Sequence, residues 1–292
     1  VKRMKHFYVI TNMQKDPGLR VGHQIQDYLQ KKGVRCTLQE EKEYHAGESY
    51  KGYKSSNPDK IPEDVDCVLV LGGDGTVLRA ARDLVNRHLP LFGVNLGTLG
   101  YLAEVNQDHL EEALDHLALD EYFTEEHMML RGVVYHEGQE VLSDVALNDI
   151  VIARSGRIHV IDVKIYVNNR FLNDYRADGI IISTPTGSTG YNLSAGGPIV
   201  SPAASLIMIT PIAPHTLTAR SVILPDTANI KVVIGKRKEP EEEAEVAFDG
   251  DTIAAMTCED YVVIEKAQST VQLVKVDQIS FLETLRKKMS GT

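Results

Sequence analysis

The sequence predicts a three-layer α/β domain followed by an all-β, sandwich-like domain, and two observations predict it. In the first part of the chain, apolar strand-like runs alternate with glycine turns and helical periodicity. The clearest case is Cys67 to Leu71, which runs into Gly72-Gly73-Asp74-Gly75-Thr76 and then into a helical pattern carried by Val77, Leu78, Ala81, Leu84 and Val85. After Tyr122 the period changes to short β-type runs separated by turn residues, with no long helical pattern until the chain's end.

Taken in order, His6 to Ile10 reads as the first strand, Asn12 to Gly18 as a turn, and Leu19 to Lys31 as a helix with Val21, Ile25, Tyr28 and Leu29 inward. Gly33 then caps that helix and Val34 to Leu38 forms the second strand. Glu40 to Pro62 is polar and without period, which fits a solvated connection better than a lid over a ligand. Leu91 to Asn95 is the fourth strand, ending in Leu96-Gly97-Thr98-Leu99-Gly100, and His109 to Leu119 is a helix.

The β runs that follow are Leu130 to Tyr135, Ala146 to Ala153, His159 to Val167, Gly179 to Ser183, Leu206 to Thr210, Asn229 to Ile234, Glu245 to Phe248, Tyr261 to Glu265 and Val271 to Val274. Lys236 to Glu245 reads as a solvated hairpin tip. Ile279, Leu282, Leu285 and Met289 define a closing helix. The expected division is residues 1–125, residues 126–275, and a helix over 276–292 that packs on the first domain.

Bulk properties narrow the classes. The 292 residues can bury a large core in one or two domains. A formal charge of -10 argues against a nucleic-acid partner, which would demand a basic footprint. Cys36, Cys67 and Cys258 share no metal-like spacing and leave one thiol unpaired, which favours a reducing compartment. The apolar run at Phe7 to Ile10 is too short for a signal peptide, and no window approaches a membrane span. The cytoplasm is the expected location.

The candidate chemistry begins at Asp74. Glycines let backbone amides approach a phosphate, and a helix start adds partial positive charge. A carboxylate cannot hold a phosphate itself, so Asp74 must chelate a metal, accept a proton from a hydroxyl, or grip a ribose. Parallel strands deliver their carboxyl ends to one crevice, which places Asn95 beside Asp74. Further on, Asn148-Asp149 interrupts an apolar run, and an amide such as Asn148 offers both the donor and the acceptor that an adenine edge requires.

The stretch Arg176-Ala177-Asp178-Gly179 leads into an apolar strand and then Ser183-Thr184-Pro185-Thr186-Gly187-Ser188-Thr189-Gly190-Tyr191-Asn192-Leu193-Ser194. Its hydroxyls can donate to ribose or phosphate oxygens, and Tyr191 can pack on a base. Ser188 lacks the G-x-S-x-G surroundings of a hydrolase nucleophile. Pro211 to Leu217 presents His215 on a turn stiffened by two prolines; a lone histidine, there or at His159, is more often structural than catalytic.

The GGDGT turn resembles the phosphate-donor loop shared by NAD kinases, diacylglycerol-type lipid kinases and phosphofructokinases. With Asn95 and its glycine turns, Asn148-Asp149, Asp178-Gly179, STPTGSTGY at 183–191 and PIAPH ending at His215, the chain is similar over nearly its whole length to NAD kinases of the bacterial type.

That resemblance implies a Rossmann-like first domain and an enzyme that moves the terminal phosphoryl group of ATP, or of polyphosphate, to the 2'-hydroxyl of the adenosine ribose of NAD. It implies Asp74 as proton acceptor, Gly72, Gly73, Gly75 and Thr76 as the phosphate loop, and Arg79 reaching the dinucleotide. Asn148, Asp149, Asp178, Thr189, Gly190, Tyr191, Asn192, Leu193 and Ser194 would line the NAD site, with His159, Arg176 and Ala213 at its edges. Magnesium as the divalent metal and a homo-oligomer, tetramer or dimer, are implied as well; the metal's ligands are not.

Two departures stand out: Asp149 where many members carry glutamate, and Gly190 where alanine is usual. The alternatives are a diacylglycerol-type lipid kinase, for which no greasy basic element is evident, and a non-catalytic dinucleotide-binding module.

Overall fold

A computed structural model describes residues 4–39, 58–97, 100–156, 160–216, 218–235, 243–276 and 281–290. The chain divides into two compact units, residues 1–126 with 271–292 and residues 127–270.

In the first unit, β1 (His6–Thr11), α1 (Arg20–Lys31), β2 (Arg35–Leu38), β3 (Cys67–Gly72), α2 (Asp74–Asp83), β4 (Leu91–Asn95), the short β5 (Val105–Asn106) and α3 (Leu110–Ala118) follow one another. The strands pair in parallel in the order β4-β3-β1-β2, with β5 also on β4. Both faces of a parallel sheet are covered, so β1, β3 and β4 are buried at every position.

Phe7, Val9, Leu69, Leu71, Phe92 and Val94 pack on one face against Val21, Ile25 and Leu29 of α1 and Leu110, Leu114 and Leu117 of α3. On the other face Val77 of α2 approaches Gly93, where a Cβ would lie 3.3 Å from Val77 Cγ2. The result is the expected three layers. Of the polar segment before β3, residues 40–57 lie outside the described residues. Its end is anchored by Arg87, whose guanidinium donates to the carbonyls of Pro58, Ile61 and Pro62 at 2.7, 3.1 and 3.1 Å.

The second unit is all β but richer in strands than the sequence suggests. It holds most of β6 (Phe123–His136), then β7 (Gln139–Ala146), β8 (Asp149–Arg154), β9 (Ile161–Val167), β10 (Arg170–Ala177), β11 (Gly179–Ser183), β12 (Leu206–Ile212), β13 (Val222–Pro225), β14 (Ile230–Ile234), β15 (Ala244–Phe248), β16 (Thr252–Met256) and most of β17 (Tyr261–Lys275). One antiparallel sheet has the order β13-β12-β11-β8-β15-β16; β10-β9-β14-β17-β6-β7 forms the other series. Ile150, Ile152, Ile180, Ile182, Val246 and Phe248 meet Ile161, Val163, Ile165, Val232, Val262 and Ile264 in a shared apolar core.

Four expectations need correction. The run Ala146 to Ala153 is two strands, β7 ending at Ala146 and β8 starting at Asp149, so Asn148 lies in the turn between them rather than inside a strand. The runs at 261–265 and 271–274 are one continuous strand. The hydroxyl-rich stretch after β11, which reads as a loop in the sequence, is a 3-10 turn, Thr186–Thr189, followed by a short helix α4, Tyr191–Ser194. Pro211 sits within β12, paired with Ile180, rather than in a turn.

The final helix, α5 (Phe281–Met289), belongs to the first unit but not by an apolar face. None of its residues is buried; Leu282 and Met289 are 70% and 73% exposed. Its ring contacts include Phe281 with the Tyr101 ring at 6.4 Å and the Lys288 ammonium over that ring at 4.6 Å. Ile279 and the hairpin tip over 236–242 lie outside the described residues.

Candidate active site

The first unit builds its polar site where β3 ends. β3 and β4 run side by side with Gly72 opposite Asn95, so both glycine turns leave the sheet at one edge. Asp74 is the first residue of α2. Its carboxylate is fixed from the second turn, accepting the N–H of Tyr101 on Oδ2 at 2.7 Å and that of Leu102 on Oδ1 at 3.0 Å. Gly100 is the residue that permits this, because a Cβ there would overlap the carboxylate. A carboxylate oxygen has two lone pairs, so each oxygen of Asp74 can still accept from a ligand hydroxyl.

Asn95 has a supporting part. It is buried, and its amide donates to Gly97 O at 2.6 Å and Asn106 Oδ1 at 2.9 Å. These bonds, with Gly97 N donating to Asn95 Oδ1 at 3.3 Å, shape the second turn. Thr76 is buried under Gly72, and Arg79 donates from Nε to Gly75 O at 3.2 Å, along the first turn of α2.

The second unit gathers Asn148, Asp149 and the residues after β11. The peptide at Asn148 is gripped by that stretch: its carbonyl accepts from Thr184 N at 2.9 Å and Ser183 Oγ at 3.2 Å, while Thr184 Oγ1 donates to Leu147 O at 2.6 Å. Gly187 packs so closely on the Asn148 carbonyl that no Cβ could fit. A Cβ on Gly190 would lie 3.4 Å from Asn148 Nδ2 and 4.0 Å from Asp149 Oδ2, which places glycine, amide and carboxyl around one spot. Asp149 is buried, and burial first, with the charge of Asp249 second, pushes its carboxyl up to about 7.

Several expected residues take structural parts. Ser188 is fully buried, donating to Val200 O at 3.0 Å and accepting from Val200 N at 3.1 Å, which leaves it no part as a nucleophile. Asn192 is fully buried too, its amide donating to Ser188 O and Pro198 O and accepting from Thr210. Thr189 is half-buried beside Gly190, and Tyr191, Leu193 and Ser194 are exposed.

Asp178 pairs with Arg154 Nε at 3.0 Å, and Arg176 with Asp162 at 3.2 Å. His215 is exposed and joined to β10 through its backbone N–H on Arg176 O. Ala213, just beyond β12, has a φ of 42°. His159 lies outside the described residues. Among the described residues no group of three or more His, Cys, Asp or Glu is gathered as a metal site.

Sequence reasoning missed Asp249. Its carboxylate accepts from Leu147 N and Asn148 N at 2.8 Å each and from Asp149 N at 3.1 Å. A signal was present: Asp249-Gly250 follows the apolar run of β15, and both residues adopt positive φ, as a type I′ hairpin turn requires. The amides of Tyr101 and Leu102 carry no side-chain signature and could not be found that way.

Known proteins resemble the chain over nearly its whole length. The ATP-NAD kinase N-terminal domain matches residues 8–122 and the ATP-NAD kinase C-terminal domain matches residues 147–276. The chain is 42% identical to an NAD kinase of Lachnospira eligens over 98% of its own length and 100% of that protein. It is 44% identical to an NAD kinase of Agathobacter rectalis over 99% of each.

Among solved structures, an Archaeoglobus fulgidus NAD kinase in complex with ATP superposes with a TM-score of 0.76 at 25% identity, covering 98% of this chain and 99% of the other. A yeast NADH kinase complexed with NADH shares the fold with a TM-score of 0.83 at 22% identity, covering 99% and 88%.

Proposed function

The chain belongs to the NAD kinase family, and from that premise we propose how its residues divide the work. The protein is an enzyme that transfers the terminal phosphoryl group of ATP to NAD, the acceptor being the 2'-hydroxyl of the adenosine ribose. In the proposed mechanism Asp74 accepts the hydroxyl proton as that oxygen bonds to phosphorus and the bond from phosphorus to ADP breaks.

The observation that carries this reading is the Asp74 carboxylate at the head of α2, with both oxygens oriented by backbone amides. A base fixed by its scaffold is already aimed when the acceptor arrives. Gly72, Gly73, Gly75 and Thr76 bring the chain close to the donor phosphates, where the helix start contributes favourable charge, and Arg79 lies one helical turn along. Inorganic polyphosphate would present the same terminal groups.

NAD is assigned to Asn148, Asp149, Asp178 and the 189–194 segment. Asn148 is the base-reading amide and Gly190 leaves space beside it. Asp149 and the hydroxyl of Thr189 are polar partners for the dinucleotide, and exposed Tyr191 and Leu193 offer surface to pack on it. Asn192 supports that segment from beneath. Arg176, Ala213 and His159 are assigned to its edge.

Magnesium would enter on the phosphates. Such ions keep most of their waters and take few protein carboxylates. Homo-oligomerisation, as tetramer or dimer, is supported by outer strands that expose Phe171 on β10, Ile223 on β13 and Ile253 on β16. Three cysteines without metal-like spacing support a reducing, cytoplasmic setting, and the net charge of -10 speaks against nucleic acid. No helix among the described residues is long and apolar enough to cross a membrane. The lipid-kinase and binding-module alternatives are not favoured, because both domains match NAD kinases.

The test is Asp74→Asn with turnover and NAD affinity measured separately. Turnover should fall by roughly 10²-fold or more while NAD binding changes little, the pattern of a lost general base. Unchanged turnover would remove the base role, and recovery in excess magnesium would reassign Asp74 to the metal.

A further inference from the structure

We propose that Lys15 is the cation that neutralises the terminal phosphates of ATP at the Gly72–Thr76 turn. This rests on the phosphoryl-transfer reading of that turn.

Lys15 lies in the connection between β1 and α1, and that connection is built rather than loose. Asn12 N donates to Leu71 O at 2.9 Å, tying it to the end of β3. Asn12 O accepts from the N–H groups of Lys15 and Asp16 at 2.8 and 2.9 Å, and Asn12 Oδ1 accepts from Gln14 N at 3.0 Å. Asp16 is buried, with its carboxylate on Val21 N and Gly22 N at the start of α1 and on Thr11 Oγ1. Its carboxylate is therefore committed to the turn of the helix.

The Lys15 side chain reaches over both glycine turns. A Cβ on Gly73 would lie 3.3 Å from its ammonium nitrogen, and one on Gly97 3.6 Å from it. Among the described residues that ammonium has neither a hydrogen-bond partner nor an ion pair. A cation without a partner among the described residues thus stands where glycines have cleared room, beside the residue that precedes Asp74.

Phosphoryl transfer needs such a charge. The helix start supplies only about half an elementary charge, and the GGDGT turn contains no lysine or arginine. In the step, the bond from the terminal phosphorus to the bridging oxygen breaks, the acceptor oxygen bonds to that phosphorus, and the acceptor proton passes to Asp74. ADP carries the bridging oxygen away. Lys15 keeps its proton throughout and screens the phosphate oxygens, as a point charge does for a polyphosphate.

Steady-state kinetics of Lys15→Ala and Lys15→Arg, varying ATP and NAD separately, test this. Lys15→Ala should lower kcat/KM for ATP by roughly 10²-fold and leave KM for NAD within about twofold. Lys15→Arg should recover part of the loss, and AMP should inhibit wild type and Lys15→Ala alike, since AMP has no terminal phosphates to lose. Unchanged kcat/KM for ATP overturns the proposal, as does a KM for NAD raised well beyond twofold or a lowered unfolding midpoint. Failure of the wild-type protein to make NADP at all would instead strike the underlying reading.

Discussion

Asp149 and Asp249 are joined by their backbones and opposed by their charges. Asp249 N donates to Asp149 O at 3.0 Å, and the Asp249 carboxylate accepts from Asp149 N at 3.1 Å. Asp149, buried, meets that carboxylate's charge, and its own carboxyl is pushed up to about 7. A group whose folded pKa lies above its ordinary value stabilises fully below that ordinary value and progressively less as pH rises toward 7. The protein should therefore lose stability from about pH 4 to about pH 7, by at most about 1.4 kcal/mol per pH unit from this group. Unfolding midpoints across that range, compared with Asp149→Asn, measure it: the variant should lack this slope, and parallel profiles would refute the assignment.

Asp249→Ala removes the acceptor of three successive amides while altering no group proposed to touch NAD. Buried donors left without partners cost about 1–3 kcal/mol each, so the Leu147–Asp149 turn should shift rather than bear the whole penalty. KM for NAD should rise by about tenfold or more with KM for ATP little changed. Equal effects on both substrates would mean general loosening of the fold.

How far the site could be read from the sequence follows from where its information lies. Asp74 was legible because a buried apolar strand, three glycines and a helical period surround it in one continuous stretch. Asp249 was not, because its partners stand about 100 residues earlier in the chain. β10 escaped notice because Arg170 to Asp174 is exposed throughout and carries no alternation. β17 read as two strands because Gln268, Ser269 and Thr270 interrupt its apolar pattern without interrupting the strand. The closing helix was legible from the spacing of Leu282, Leu285 and Met289, but that spacing does not show how it is held: Leu282 and Met289 stay exposed while Phe281 and Lys288 meet the Tyr101 ring.

Gly100→Ala should inactivate the enzyme without touching a chemical group. A Cβ there would overlap the Asp74 carboxylate and force it off the amides of Tyr101 and Leu102. We expect a fall in kcat of roughly 10²-fold or more, comparable to that of Asp74→Asn, with circular dichroism unchanged. Near-normal turnover would show that the amide-fixed geometry is dispensable.

If neighbouring subunits share NAD sites, two inactive variants should rescue each other. Asp74→Asn and Arg176→Ala proteins, dissociated and reassembled together, should regain part of the activity, because some sites would pair intact halves. Mass measurement must confirm the mixed species. Confirmed mixtures without rescue would confine each site to one chain, and a fully active monomer would remove the oligomer from the account.

The most direct measurement gives the purified protein NAD, ATP and magnesium and follows the product with an NADP-specific dehydrogenase. The account predicts NADP and ADP in equal amounts, with the new phosphate on the adenosine ribose 2'-oxygen by phosphorus NMR and with product formation abolished or nearly so in Asp74→Asn. Absence of NADP under these conditions, alongside ready phosphorylation of diacylglycerol, would contradict it.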